Sequence, residues 1–166
     1  MAAIKNLKDL YLDGVKDLYS ACKQAIPATE AMAAAAKDAD LKAALEGSVK
    51  GTKDGMAAME KLAKAHGEDP AGEHCKGMEG LVTEAKKHAL EAEFADDEVQ
   101  DAAIIAQYQR LAHYAITGYG TLKAWAKRLD LADDAKVLDE CTASTYQGDE
   151  DMTKLAVKGG INKAAM

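Results

Sequence analysis

Apolar side chains recur every three or four residues along almost the whole chain, which is the pattern of amphipathic α-helices. The first run starts near Ile4 and continues through Leu7, Tyr11, Val15, Leu18, Cys22 and Ala25. No segment shows the two-residue alternation of apolar and polar side chains that marks a half-buried strand. The pattern therefore predicts an all-α protein.

Turn and capping residues divide this pattern into helices. Pro27 should kink or interrupt the first helix, which can resume to about Lys37. Asp40 can cap a second helix that runs to about His66. The loop-like stretch 66–75, HGEDPAGEHC, then separates the first pair of helices from the rest.

Three further helices follow this loop. A short one is predicted from about Lys76 to Phe94, and Asp96 or Asp97 can cap a long one that runs to about Leu129. The last is predicted over 133–157, and residues 158–166 are predicted to form a flexible tail. This order predicts one domain over residues 1–166, an antiparallel four-helix bundle with one additional short helix in a connection.

Composition and charge narrow the classes of function. The 166 residues are 48% hydrophobic and 30% charged, which suits a folded domain. A net charge of −7 without a basic patch argues against nucleic acid and anionic membranes as partners. No apolar run approaches the roughly 20 residues of a membrane span, and the N-terminus lacks a signal-peptide apolar region. We therefore expect a cytoplasmic protein with free thiols at its three cysteines, Cys22, Cys75 and Cys141.

Glycine recurs every fourth residue in the second helix, at Gly47, Gly51 and Gly55, so that the three lie on one face. A glycine inside a helix costs about 1 kcal/mol relative to alanine. Three explanations stay open from the sequence: close approach of a neighbouring helix, room for a ligand, and tolerated drift on a stable scaffold.

On one face of the fourth predicted helix, two large side chains flank two very small ones. Tyr108, Ala112, Ala115 and Tyr119 lie at helical spacing in QYQRLAHYAITGYG, with His113 beside them. The tyrosines could fill the bundle centre, with each hydroxyl seeking a partner. Alternatively they could wall a cavity that takes a small apolar or planar ligand.

Several stretches together resemble the YciF-type ferritin-like bacterial stress proteins. They are DLYSACKQ (17–24), CKGMEGLVTEA (75–85), EVQDAAIIAQYQ (98–109), HYAITGYGTL (113–122) and KLAV (154–157). The resemblance covers about residues 4–157. It implies a ferritin-like bundle, in which carboxylates and Glu-x-x-His pairs from four helices hold two metal ions.

The resemblance also implies that this chain has lost those metal ligands. The acidic positions of the family fall on Cys22, on Lys50 and Gly51, on Ala112 and Ala115 around a retained His113, and on 143–145, while Asp149 is retained. Because a di-iron site needs several anionic oxygens, ferroxidase or oxygenase activity is not expected. We therefore expect no cofactor. A ferritin-like fold that lacks the metal site does not imply the metal-dependent function.

Three hypotheses follow. The first is a non-catalytic, stress-associated binding or structural module. We expect it to form a homodimer and, in addition, to have an unidentified protein or small-molecule partner. The second is a metal or redox protein with a soft-metal site rebuilt from Cys22, His113, Cys141 and Asp149. The third is a carrier of a small apolar or planar ligand in the vacated centre, whose candidate residues are Cys22, Gly51, Gly55, Tyr108, Ala112, His113, Ala115, Tyr119, Thr145 and Asp149.

Overall fold

The computed structural model describes residues 3–166, which form four long helices and two short ones. The elements are α1 (Leu7–Ala35), α2 (Ala39–Ala65), α3 (Lys76–Ala85), α4 (Asp97–Arg128), α5 (Ala132–Val157) and α6 (Ile161–Ala164). A π-helical turn, Lys86–Leu90, extends α3. The predicted all-α bundle with a short helix in one connection is confirmed.

Aspartate side chains cap the N-terminal ends of α4 and α2. Asp96 caps α4 as predicted, and its carboxylate accepts from the Val99 amide at 2.9 Å. The cap of α2 is Asp38 and not Asp40, since the Asp38 carboxylate accepts from the Leu41 amide at 2.9 Å. The prediction therefore placed this start two residues late.

Of the two outcomes predicted at Pro27, the interruption is wrong, because α1 runs through it from Leu7 to Ala35, while the kink stays a prediction. Pro27 lies on the exposed side of α1. Its ring removes one amide donor, and on that side water can solvate the backbone carbonyl left without a partner. Buried neighbours on the opposite face, such as Ile26 and Thr29, keep the helix packed on both sides of the proline.

The helices pair in two antiparallel hairpins, α1 with α2 and α4 with α5. Side-chain contacts set the register: Lys53 with Glu30 in the first hairpin and Lys123 with Asp139 in the second. Between α2 and α4 runs one long crossover that contains α3, a connectivity known from ferritin-like bundles. It places α1 beside α4 and α2 beside α5, both antiparallel.

Two polar contacts fix the connections to the bundle. The buried carboxylate of Asp101 in α4 accepts from the amides of Lys37 and Asp38, at 2.9 and 2.8 Å, in the turn between α1 and α2. At the start of α3, the Ser20 hydroxyl of α1 accepts from the Cys75 amide at 3.0 Å. The first contact joins the α1–α2 hairpin to α4, and the second joins it to the crossover.

The chain end packs on the bundle at one residue. Ile161 is buried, with 6% exposure, and begins the four-residue helix α6. Gly160 precedes it with φ +93, a left-handed conformation that glycine adopts without strain. Flexibility of residues 158–166 stays a prediction, but Ile161 joins the core.

Candidate ligand-binding cavity

A cavity of about 550 Å³ lies in the centre of the bundle and opens between α2 and α5. Its walls on α1 and α4 are mostly buried, and include Cys22, Ala25, Tyr108, Ala112 and Tyr119. Its rim on α2 and α5 is solvent-exposed, and includes Gly47, Gly51, Asp54, Glu140 and Ser144. The cavity is therefore open to solvent on the α2–α5 side, which we call its mouth, and it has the size of small-molecule sites.

A thiol and a phenol form the inner end of the cavity. Cys22 Sγ lies 3.1 Å from the Tyr119 hydroxyl, and both side chains are buried. Gly55 makes this contact possible, since a methyl group added at Gly55 would lie 2.5 Å from the Tyr119 hydroxyl oxygen. One glycine of the periodic stripe is therefore required by a buried tyrosine.

A second tyrosine lines the cavity closer to the start of α4. The Tyr108 hydroxyl donates to Ser48 Oγ at 2.8 Å, which joins α4 to α2. A methyl group added at Gly148 of α5 would lie 3.1 Å from the Tyr108 hydroxyl oxygen. Both tyrosine hydroxyls thus have partners, as expected of buried phenols, and they leave the space between Ala112, Ala115 and the mouth open.

The other two glycines of the stripe face open space. A methyl group at Gly47 would meet nothing within 4 Å, and one at Gly51 would meet only Ser144 Oγ at 3.9 Å. Close approach of α5 therefore does not account for glycine at Gly47. Of the explanations left open by the sequence, close approach of a neighbouring helix fits Gly55. Gly47 and Gly51 instead widen the mouth of the cavity.

Burial sets the protonation of the groups around the cavity. It raises the pKa of the Cys22 thiol to about 11, against a weaker lowering effect of the Tyr119 hydrogen bond. Burial also raises the pKa of Tyr119 well above its usual value, with the nearby Cys22 thiol adding to the rise. The Cys141 pKa rises to about 11 through burial and the adjacent Glu140 carboxylate. Near neutral pH these groups are therefore neutral, and the thiols are poor nucleophiles.

Most of the predicted ligand-site residues line this cavity. They are Cys22, Gly51, Gly55, Tyr108, Ala112, Ala115, Tyr119 and Thr145. Whether they bind a ligand stays a prediction. What the structure establishes is that they surround one space.

His113 and Asp149 do not line the cavity, so the predicted placement of both is wrong. His113 follows Ala112 by one residue, which turns its side chain by about 100° away from the inward face. Its side chain is 64% exposed, and its Nε2 atom lies 3.1 Å from Asp149 Oδ2 on the surface between α4 and α5. Asp149 also accepts from Gln109 Nε2 at 3.0 Å.

The alternative soft-metal set is not assembled either. Cys22 and Cys141 line the cavity, whereas His113 and Asp149 pair outside it. Within residues 3–166, no three side chains of His, Cys, Asp or Glu come together as a metal-binding group. The site predicted from Cys22, His113, Cys141 and Asp149 therefore does not exist as a set of four ligands.

The sequence did not predict many of the residues that surround the mouth of the cavity. Unpredicted lining residues on α2 and α5 include Ala44, Ser48, Ser144 and Gly148. A signal for them was available, because small residues recur three or four positions apart on both helices. Two helices that present small residues to each other leave either a close contact or a gap, and only the structure distinguishes these.

Two partly buried polar networks lie away from the central cavity. The Tyr114 hydroxyl donates to Asp17 Oδ2 at 2.9 Å and lies 2.9 Å from Cys75 Sγ. At one end of the bundle, the Asp134 carboxylate accepts from the Tyr11 hydroxyl at 2.8 Å and lies 2.7 Å from His66 Nε2. Burial, followed by these carboxylate contacts, raises the pKa of Tyr11. Both networks join helices outside the central cavity, and Asp17 and Tyr114 also line a second pocket of about 500 Å³ beside α1 and α4.

Fold and cavity together define a class, an all-α four-helix bundle with one crossover and a central pocket. The chain belongs to the family described as Domain of unknown function (DUF892), whose model matches residues 6–166. It is 31% identical over 163 residues to Protein YciF of Escherichia coli strain K12, across 98% of this chain and 96% of that protein. The predicted relationship to YciF-type proteins is therefore confirmed.

Two solved structures share the fold. One is YcfI of Rhodopseudomonas palustris, described as a proposed structural protein, with a TM-score of 0.86 and 32% identity over 93% of this chain and 97% of that chain. The other is the Escherichia coli stress protein YciF, with a TM-score of 0.86 and 30% identity over 93% of this chain and 96% of that chain. Over residues 3–166, none of the helices has both the length and the apolarity to cross a bilayer.

Proposed function

We propose that this chain is a non-catalytic binding module that takes a small, largely apolar organic molecule into the cavity between α2 and α5. The single observation that carries the proposal is the 550 Å³ space lined by alanine, glycine and two internally bonded tyrosines. The apolar side chains of this space give an apolar ring system a surface to pack against. Neither thiol is activated as a nucleophile, because the pKa values of Cys22 and Cys141 are raised.

The side chains around the cavity do not fit the pair of metal ions that ferritin-like folds hold. Cys22, Gly51, Ala112, Ala115 and Thr145 supply no carboxylate at the centre. Acidic residues of the lining, such as Asp54 and Glu140, lie at the exposed rim. We therefore propose a vacated metal site whose space serves binding. Iron or manganese near one equivalent, in protein purified without chelator, would contradict this.

A structural or stress-associated role is compatible with this proposal. The relatives are named as a stress protein and as a proposed structural protein. A stress-associated module can bind a small molecule without transforming it. Pairing with a second copy of the chain stays a prediction, to be checked by light scattering coupled to size-exclusion chromatography.

The binding test uses N-phenyl-1-naphthylamine, a neutral planar dye that fluoresces in apolar surroundings. We expect saturable binding at one site per chain. Ala112→Leu fills the cavity floor and Gly51→Leu narrows the mouth, so each should weaken binding by at least about tenfold, or 1.4 kcal/mol. The two variants act from different helices, and Gly51 has room for a larger side chain.

The matched control is Ala124→Leu, which makes the same change on the exposed side of α4. It should leave dye affinity unchanged. Native mass spectrometry of the gently purified protein should also detect a co-purified small molecule in the wild type and not in Ala112→Leu. Full dye affinity in both cavity variants would show that the dye binds elsewhere and would overturn the proposal.

A further inference from the structure

The charged groups of the cavity are all acidic. Among its lining residues, Asp54 of α2 and Glu140 and Asp151 of α5 carry charge, and no lysine, arginine or histidine is present. An acidic rim around a low-dielectric space focuses a negative potential on its mouth. The rim therefore attracts cations and repels anions.

The register of α2 and α5 places two of these carboxylates on opposite sides of the mouth. Gly51 lies beside Ser144, and Ser48 lies beside Gly148, which sets an antiparallel alignment. One helical turn further along, the same alignment brings Asp54 level with Glu140. The two carboxylates thus face the same opening from its two walls.

These two carboxylates form no close ion pair, although Lys50 and Lys136 each lie one helical turn before them on α2 and α5. Among the ion pairs of residues 3–166, none includes Asp54 or Glu140. Asp151 differs, because Lys154 Nζ lies 3.3 Å from its Oδ1 atom. Asp54 and Glu140 are therefore the lining carboxylates that no basic side chain holds in a close ion pair.

We propose that the ligand of this cavity is an organic cation, with an apolar body among Ala112, Ala115 and the tyrosines and an amine, amidine or quaternary ammonium group between Asp54 and Glu140. The inference rests on the proposed function. It adds the charge of the ligand and the orientation in which the ligand enters. A purely inorganic cation would leave the apolar floor unused, so the cavity favours an amphiphilic molecule.

The test uses three naphthalene probes that share one ring system. They are 1-naphthylmethylammonium, neutral 1-naphthalenemethanol and 1-naphthoate, each measured by displacement of N-phenyl-1-naphthylamine at low salt. We expect the cation to bind about fivefold more tightly than the alcohol, since two partly solvated charge contacts each add modestly, and the anion to bind most weakly. High salt should reduce the differences.

The double variant Asp54→Asn/Glu140→Gln should remove the preference for the cation and leave affinity for the alcohol unchanged. The control double variant Asp40→Asn/Glu93→Gln changes net charge equally at exposed residues outside the cavity lining, and should keep the preference. Loss of preference in both doubles would attribute it to net charge and overturn the inference.

The failures of the two proposals are distinguishable. Equal binding of cation and alcohol at the dye site would overturn the cationic ligand and leave the binding module standing. Absence of any displacement by the three probes, together with dye binding that Ala112→Leu does not affect, would overturn both.

Discussion

The α1–α4 and α2–α5 interfaces use glycine in opposite ways. Between α1 and α4, a methyl group at Gly118 would lie 2.5 Å from Leu18 Cδ2, and one at Gly14 would lie 2.8 Å from Leu122 Cδ2. Each glycine therefore accepts a leucine of the facing helix. Between α2 and α5, Gly47 faces open space and Gly51 makes one ordinary contact with Ser144.

The difference shows that a small residue on a helix face can have either of two structural roles. Where the partner helix presents leucine, glycine lets that leucine pack against the helix backbone. Where the partner presents serine, threonine or another glycine, the same residue leaves a gap. The partner side chain decides which, and the central cavity has its exposed rim where small residues of α2 and α5 face each other.

The largest expected effect comes from removing a leucine of the packed interface. Leu18→Ala should lower the free energy of unfolding by about 2–5 kcal/mol, since Leu18 is 2% exposed and its side chain occupies the space over Gly118. The comparison variant is Val137→Ala at the partly exposed cavity wall, which should change stability by less than about 1 kcal/mol. Urea unfolding measures both, and equal losses would show that the more exposed Val137 is packed as tightly as Leu18, which also lines the cavity.

Alkaline pH tests the buried inner end of the cavity. The folded state raises the pKa of Cys22 from 9.0 to about 11, so it holds the thiol proton more tightly than the unfolded chain does. The raised pKa of Cys22 therefore stabilises the folded state. This stabilisation is complete below about pH 9 and is lost as pH rises towards about 11. The expected loss is about 1–3 kcal/mol.

The variant Cys22→Ser should reduce the fall in stability between those pH values, measured by urea unfolding under reducing conditions. Tyrosines with raised pKa values, such as Tyr119, add to the fall in both proteins, so the difference between them is the informative quantity. Cys141→Ser should have the smaller effect because Cys141 is partly exposed. Identical pH profiles for wild type and Cys22→Ser would mean that water reaches this thiol.

A single added methyl group tests the packed interface directly. Gly118→Ala should lower stability by about 1 kcal/mol, since overpacking against Leu18 outweighs the gain in helix propensity. Thermal unfolding measures the change. A rise in melting temperature would indicate that Leu18 moves aside without cost.

The same substitution in the open interface should act in the opposite direction. Gly47→Ala should raise stability by about 0.5–1 kcal/mol, because alanine is the better helix former and its methyl group meets no atom within 4 Å. Destabilisation by this variant would contradict the open mouth. A gain for Gly47→Ala and a loss for Gly118→Ala, measured together, would support the contrast between the interfaces.

Periodicity predicted the helices, their order and the bundle, because helix formation depends on local spacing and caps. Asp96 at the start of α4 is one such cap. Pro27 misled the prediction, since its cost depends on which side of α1 faces water, and neighbouring helices decide that. His113 misled it for a different reason: one residue along a helix changes the face, so sequence proximity to Ala112 did not place it in the centre.

The cavity was predicted only in part. Spacing alone brings Tyr108, Ala112, Ala115 and Tyr119 to one face. The position of the mouth depends on how far α2 stands from α5, which is a property of two helices distant in sequence. The opposed carboxylates Asp54 and Glu140 depend on the same register, so no local pattern identifies them.

The Asp101 carboxylate has a consequence for hydrogen exchange. The amides of Lys37 and Asp38 lie in a turn, where backbone amides usually exchange quickly, yet both donate to this buried carboxylate of α4. They can exchange only when α4 separates from the α1–α2 hairpin. Their exchange rates therefore report the separation of the two hairpins, whereas opening of the cavity mouth between α2 and α5 leaves them protected.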